Sequence, residues 1–397
     1  MKPNIIFILT DDQGWEDLHC FGHPYLKTPN LDRLAAEGTA FTNFYVSSPV
    51  CSPSRVSFMT GHYPARHNVH HIFHRDKGRE HMRRQGIPPY LDPETTTITR
   101  QLQENGYATA HFGKWHMGNV SDAPHPSEYG IDDVRASVTA PAYEGWPEYL
   151  TEPYWWAKST DLFVDETIRF IDENRDRPFY VNLWPLIPHA KLDPTPEQLA
   201  EYEGLEVDPN DFRGWMRDYL QETEELNSKM QVYCASMTSL DRAIGRLLDH
   251  LDATGLADNT LIVFTSDNGP EDYRCPNAAN AGVGSPGDGR ARKRSIYEGG
   301  VRVPAIARWP GHIPAGHVDN TSVLGAVDWF PTVCAAAGIP MPDIQPDGED
   351  VGDILEGAPR PRKAPLFWEW KHDVIDDNEG YNPPQLAIRD GHWKLFM

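Results

Sequence analysis

Cysteine is scarce in this chain of 397 residues, which has only Cys20, Cys51, Cys234, Cys275 and Cys334. An odd number without CxxC spacing argues against a zinc cluster and gives no disulfide framework. Long apolar runs are missing as well, since no window offers the roughly 18 apolar residues that a membrane span takes. The apolar run near the amino terminus, Ile5 to Leu9, is short and is followed by no small-residue cleavage site, so it reads as a strand and not as a signal peptide. That reading leaves two locations open: the cytoplasm, or export directed by a signal outside these residues. Positive charge is also in short supply. With 36 basic and 58 acidic side chains the formal net charge is −22. Such a balance argues against a nucleic-acid partner, yet it allows a small anionic substrate if the pocket is locally basic.

What is present is a pattern repeated four times, a short apolar run stopped abruptly by polar residues. "NIIFILTDDQG" ends in Asp11 and Asp12, and "YATAHFGKWHMG" leads into Lys114 and His116. "PFYVNLWPLIPHA" leads to His189, and "TLIVFTSDNG" leads to Asp267 and Asn268. Unalternating apolar runs suit strands buried on both faces. Helical segments fall between them: one opens at Thr28-Pro29 and stops at Gly38, others span Thr95 to Gly106 and Asp161 to Arg175, and a long one runs from about Glu222 to Thr254. The alternation predicts an α/β fold, a large, mixed but mostly parallel sheet sandwiched by helices. Ligands collect at the carboxyl ends of the strands in such sheets, which is where all four polar clusters lie. From about Asp319 the texture changes to a helix, a proline-rich connection, "APLFWEW" and "QLAIRDGHWKLFM". Asp390-Gly391 between apolar-rich runs predicts a type I′ hairpin. The expected division is a catalytic α/β unit over residues 1–318 and a C-terminal helix with a small antiparallel sheet over residues 319–397.

Asp11, Asp12, Asp267 and Asn268 offer only oxygen donors, which suit a hard cation such as Ca²⁺ or Mg²⁺ better than zinc. Each cluster alone also reads as a strand-ending turn, since Asp, Asn and Gly favour turns. The pair, each directly behind a buried strand, favours the metal. In "PVCSPSRVSFMTG", Pro53 presets a helical φ and places Cys51 at or just before a helix N-terminus. Free N–H groups and the helix dipole would acidify a thiol there; the plainer reading is a small residue that starts a helix. Arg55, four residues on, projects from the same face and supplies a planar cation for an oxyanion.

At these residues the chain resembles the type I, formylglycine-dependent sulfatases, the arylsulfatase-like branch of the alkaline phosphatase superfamily. "CSPSR" matches their C-x-P-x-R signature, "GKWHMG" (Gly113 to Gly118) is similar to their second signature, and "EGGVRVP" (Glu298 to Pro304), with Lys293 five residues ahead, resembles a third element. Order and spacing match from about residue 3 to 310. The resemblance implies that a formylglycine-generating enzyme oxidises Cys51, whose hydrate then serves as nucleophile and metal ligand. It implies a Ca²⁺ site, with Mg²⁺ as the alternative, completed by Asp11, Asp12, Asp267 and Asn268. Arg55 and His116 would hold the hydrate, Lys114 and Lys293 would bind sulfate oxygens, and His189 would protonate the leaving alcohol. The family's usual proline two residues beyond that histidine is Lys191 here.

The implied activity is hydrolysis of a sulfate monoester. Between Gly61 and Gly86 lie six histidines and five arginines, which read either as a lining for an anion's approach or as a solvated loop. Tryptophans between Gly145 and Ser159 suit stacking on sugar rings or packing of an irregular insertion. Together they favour a sulfated carbohydrate. Two other readings stay open: a phosphate or phosphonate monoester hydrolase on the same layout, and a non-catalytic anion-binding protein in which Cys51 remains a thiol. No membrane or nucleic-acid partner is expected, and the sequence leaves oligomeric state open.

Overall fold

Seven consecutive buried residues, Asn4–Thr10, form strand β1 and send alternate side chains to opposite faces of one sheet. Ile5, Phe7 and Leu9 join one apolar cluster, while Ile6 and Ile8 join the other. The coordinates are a computed structural model that describes residues 2–137, 152–272, 278–370 and 384–397. Further strands of this sheet are β2 (Thr39–Tyr45), β3 (Ala108–Lys114), β4 (Asp133–Ser137), β5 (Phe179–Trp184) and β6 (Thr260–Ser266). They are followed by β7 (Arg302–Arg308), β8 (His317–Asp319) and β9 (Leu324–Gly325). Their spatial order is β4-β3-β5-β1-β6-β7-β2-β8, with β9 also on β2. β1 pairs in parallel with β5 and β6, and β3 with β4 and β5. β7 runs antiparallel to both neighbours, so the sheet is mixed but mostly parallel, as expected.

Helices cover both faces. On the Phe7 side lie helices Cys51–Thr60 and Ile98–Glu104, contributing Val56, Phe58, Met59, Ile98 and Leu102. On the other side lie Pro29–Ala36, Trp155–Glu173 and Leu226–Ala253. The last buries Met230, Tyr233, Met237, Leu240, Ile244, Leu247 and Leu251, the spacing of one helical face turned to the sheet. None of the described helices is long and apolar enough to cross a membrane.

The C-terminal segment adds β10 (Leu366–Glu369), β11 (Leu386–Asp390) and β12 (Trp393–Phe396), a separate antiparallel sheet. Its hairpin differs from expectation by one residue. Asp390 pairs with Trp393, so the turn is Gly391-His392, and only Gly391 of these two takes a positive φ. A type I′ turn needs positive φ at both central residues; one with glycine in the first central position fits type II′. The expected division at 318/319 falls inside β8, and the Trp329–Ala336 helix shares the Phe7-side core. Among the described residues Cys20, Cys51, Cys234 and Cys334 are free thiols; Cys275 lies outside them.

One buried group makes the fold sensitive to acid. His111 on β3 packs edge-on against Trp115 and Trp184, at ring separations of 5.1 and 4.9 Å. Burial, reinforced by the Arg55 cation, lowers its pKa to about 3. Because the folded value lies below that of the unfolded chain, this stability is complete above about pH 6.5 and is lost as pH falls toward 3. By pH 5 the loss should reach about 2 kcal/mol. His111→Phe, which suits the aromatic pocket, should remove that share of the pH dependence when urea unfolding is compared at pH 7 and pH 5. An unchanged slope would show that His111 does not control it.

Candidate active site

The parallel strands bring their carboxyl ends to one edge of the sheet, and the four polar clusters meet there. Asp11 and Asp12 leave β1, Asp267 and Asn268 leave β6, Lys114 ends β3, and His189 follows β5. Asp12 turns sharply at φ 67°, a left-handed conformation that aspartate tolerates better than most residues. Its amide donates to Asp267 Oδ1 at 3.2 Å, locking one turn onto the other. Gly269 continues the second turn against the Glu298–Val301 helix. A Cβ there would fall 1.9 Å from the Gly299 carbonyl oxygen, so only glycine permits the approach.

The Cys51–Thr60 helix enters with its first residue foremost, and each of its side chains is buried. Cys51 Sγ lies 3.3 Å from Asp11 Oδ1 and 3.8 Å from Asp12 Oδ1. One ligand atom from each of Asp11, Asp12, Cys51 and Asp267 falls within 4.8 Å of all the others. Asn268 Nδ2 donates to Asp12 Oδ1 at 2.8 Å, while its Oδ1 is buried without a hydrogen-bond partner. An orphaned amide oxygen costs about 1–3 kcal/mol unless something accepts its lone pairs. A cation held by the three neighbouring carboxylates would be a suitable partner, and these oxygen donors fit Ca²⁺ or Mg²⁺.

Three permanent cations face those three carboxylates. Arg55 donates from Nε and Nη2 to Asp267 Oδ2 at 2.9 and 2.7 Å. Lys114 Nζ lies 2.6 Å from Asp11 Oδ2, and Lys293 Nζ 2.6 and 2.5 Å from the two Asp12 oxygens. Neither lysine is solvated, although Lys293 sits in the basic run "GRARKRS". Burial opposes their charge, but Asp11 and Asp12 respectively outweigh it and raise both pKa values. Burial likewise opposes ionisation of Asp11, which Lys114, His189 and Arg55 together hold well below the usual carboxylate range. The acids are thus balanced by the chain itself. A divalent ion would leave the pocket positive, as an anionic substrate requires.

The expected acidification of Cys51 is corrected by this geometry. Burial, and then the Asp11 and Asp267 carboxylates, push its thiol well above the ordinary value. A helix terminus acts through partial charges, whereas two full negative charges lie nearby in a dry site.

Around this floor a cavity of about 280 Å³ opens, lined in part by Cys51, Lys114, His116, His189 and Lys293. His116 has a φ of 57° and a buried Nδ1 without a hydrogen bond; burial, then Lys114 and Arg55, hold its pKa well below normal. His189 Nδ1 lies 2.6 Å from the Ala190 carbonyl and Nε2 lies 3.8 Å from Asp12 Oδ2. Burial lowers its pKa against the pull of Asp11 and Asp12. Lys191 is exposed. Of the stretch between Gly61 and Gly86, His71 and Ile72 reach the pocket. Arg79 pairs with Asp122, Arg83 and Arg84 pair with Glu80, and His62 faces His67 at 3.2 Å. The tryptophan stretch divides too: Trp155 is buried in the core, Trp156 lines the pocket, and Trp146 lies outside the described residues.

Sequence reasoning missed Glu271 and Arg294, which complete the pocket wall. Their only linear signal was proximity, Glu271 four residues after Asp267 and Arg294 next to Lys293.

A family model described as Sulfatase matches residues 3–339. Arylsulfatase A of Homo sapiens is 31% identical over 433 residues, covering 100% of this chain and 75% of that protein. N-acetylgalactosamine-6-sulfatase of Homo sapiens is 31% identical over 420 residues, covering 95% of this chain and 74% of that protein. The solved structure of Ps i-CgsB in complex with k-i-k-neocarrahexaose superposes with a TM-score of 0.76 at 26% identity, covering 99% of this chain and 83% of that one. Since the family match runs through every cluster that the strand ends bring together, the chain belongs to the sulfatase family and is a sulfuric ester hydrolase.

Proposed function

We propose that this enzyme removes sulfate from a sulfated carbohydrate, using a formylglycine derived from Cys51 beside a divalent cation, preferentially Ca²⁺. The observation that carries the reading is the convergence of Cys51 Sγ with the Asp11, Asp12 and Asp267 carboxylates inside 4.8 Å, at the floor of a cavity lined by lysine and histidine. Asp11, Asp12, Asp267, Asn268 and the modified Cys51 would hold the ion, which supplies Lewis-acid stabilisation of charge on the sulfate oxygens. As formylglycine hydrate, residue 51 would supply two hydroxyls: one gives up its proton and attacks sulfur as the S–O bond to the sugar breaks, and the other then loses its proton and expels sulfate by restoring the aldehyde, which water rehydrates. Lys114 and Lys293 bind sulfate oxygens, and Arg55 and His116 hold the hydrate. His189, beside the floor, gives a proton to the departing sugar oxygen. The carbohydrate reading is supported by Trp156 on the pocket wall and by the names of relatives that act on or bind sugars.

Mass spectrometry of the peptide containing Cys51, from a host with a formylglycine-generating enzyme, should show the aldehyde and not the thiol. The same protein should release sulfate from sulfated saccharides much faster than phosphate from matched phosphate esters. A thiol at full occupancy, together with anion binding and no turnover, would favour the non-catalytic reading; faster phosphate release would favour the phosphate or phosphonate hydrolase. The role of His189 has its own test. His189→Ala should lower turnover of a sugar sulfate about 10²- to 10⁴-fold, and that of an aryl sulfate with an acidic phenol far less. Equal losses would remove His189 from the general-acid role.

A further inference from the structure

Two charged residues on the pocket wall have no part in the mechanism above. Arg294 donates to both carboxylate oxygens of Glu271, at 3.0 Å on the Oε2 side, and both residues line the cavity that holds Cys51. Glu271 is almost fully enclosed, with its Oε2 also 3.6 Å from Lys293 Nζ. Burial opposes its ionisation, but Lys293 and Arg294 hold its pKa well below normal, so it is an anion. Arg294 sits at a φ of 70°, which costs a non-glycine residue about 1–2 kcal/mol. Two bonds hold the loop in place: the Arg294 amide donates to the Pro49 carbonyl at 3.0 Å and the Lys293 amide to the Pro270 carbonyl at 3.0 Å. This segment therefore ties the residues before Cys51 to those after Asp267. The left-handed backbone would suit glycine better, and an arginine kept there points to a task for its side chain.

We infer that the Glu271–Arg294 pair reads the sugar ring beside the sulfate, by accepting from and donating to ring hydroxyls of a neutral pyranose. This inference rests on the carbohydrate reading above. A sugar hydroxyl is both donor and acceptor, and a carboxylate fixed beside a guanidinium offers the complementary pair. The pair carries no net charge, so it matches hydroxyls and offers a second anionic group on the ring no net attraction. Hydrogen bonds to charged partners are worth enough to change specificity about 10- to 100-fold.

The test measures kcat/KM for a monosulfated hexose, for its analogue lacking the hydroxyl adjacent to the sulfated position, and for an aryl sulfate. The enzymes compared are the wild type, Arg294→Gly and Glu271→Gln. Arg294→Gly relieves the backbone but leaves the enclosed Glu271 carboxylate with Lys293 as its remaining cation, so Tm should fall somewhat and the substrate ratios, not Tm, carry the test. The substitution should lower the saccharide-to-aryl ratio at least 10-fold, chiefly through KM, and should erase the preference for the hexose over its deoxy analogue. Glu271→Gln should reduce that preference in the same direction. If the wild type desulfates the saccharide and both variants keep its ratios, the inference is overturned while the carbohydrate reading stands. A lower Tm with equal losses on all three substrates would make the pair a structural brace and also overturn it. If the wild type desulfates the aryl ester and no saccharide, the carbohydrate reading itself has failed.

Discussion

Cys51→Ala should lower kcat/KM for any sulfate ester by about 10⁵-fold or more, the scale on which loss of an enzyme nucleophile is felt. The protein should still fold, because the side chain contributes two weak contacts, to Asp11 Oδ1 and Asp12 Oδ1, and little buried volume. Cys51→Ser separates nucleophile from diol. Serine has one hydroxyl, so it can take up sulfate but cannot expel it by becoming an aldehyde. A burst of about one equivalent of alcohol should be followed by near-arrest, with sulfate left on residue 51 and visible by mass spectrometry. Multiple turnovers by either variant at more than a tenth of the wild-type rate would show that residue 51 is not the nucleophile.

Removing the divalent ion should have an effect nearly as large. Three buried carboxylates meet at one point, next to Asn268 with its orphaned oxygen, and the positive charge that a cation adds is what an anionic substrate would encounter. Chelation should cut turnover by about 10³-fold, equivalent to several kcal/mol of charge stabilisation, with recovery on adding Ca²⁺. Mg²⁺ is the comparison that identifies the ion. Binding at a concentration one hundred times Kd stabilises the folded state by about 2.7 kcal/mol, so calorimetry should record a rise in Tm on reloading. Asn268→Ala deletes the orphaned oxygen and should weaken Ca²⁺ binding measured by titration calorimetry. A chelated protein that keeps both its rate and its Tm would show that no functional ion binds here.

Much of this layout was legible along the chain, and the gaps have identifiable causes. β1, β3, β5 and β6 were readable because strands buried on both faces need unbroken apolar runs, as in Ile5 to Leu9. β2 and β7 were not recognised. β7 carries Pro304, which cannot donate to a ladder and argues against a central strand. The structure accommodates it opposite an irregularity of β2: Val303 pairs with Phe44 and Ala305 with Phe41, so the register shifts where the missing N–H would lie. Thr39–Tyr45 is only partly buried in its middle and lacks the unbroken apolar signature. The hairpin was placed one residue early because Asp-Gly is a strong turn signal, whereas cross-strand pairing sets which residues the turn contains.

The sequence by itself determined which chemistry stands at each strand end: paired acids behind β1 and β6, a lysine and histidine after β3, and a cysteine opening a helix. Local order suffices for that, since buried parallel strands are marked by residues adjacent in the chain. Only the tertiary structure decided which charges neutralise one another, that Lys114 and Lys293 are buried, that the Cys51 thiol is pushed up instead of down, and that Glu271 and Arg294 belong to the pocket. The reason is that Coulomb and desolvation energies depend on distance and burial in three dimensions, so residues far apart in the chain, such as Asp12 and Lys293, set each other's charge state.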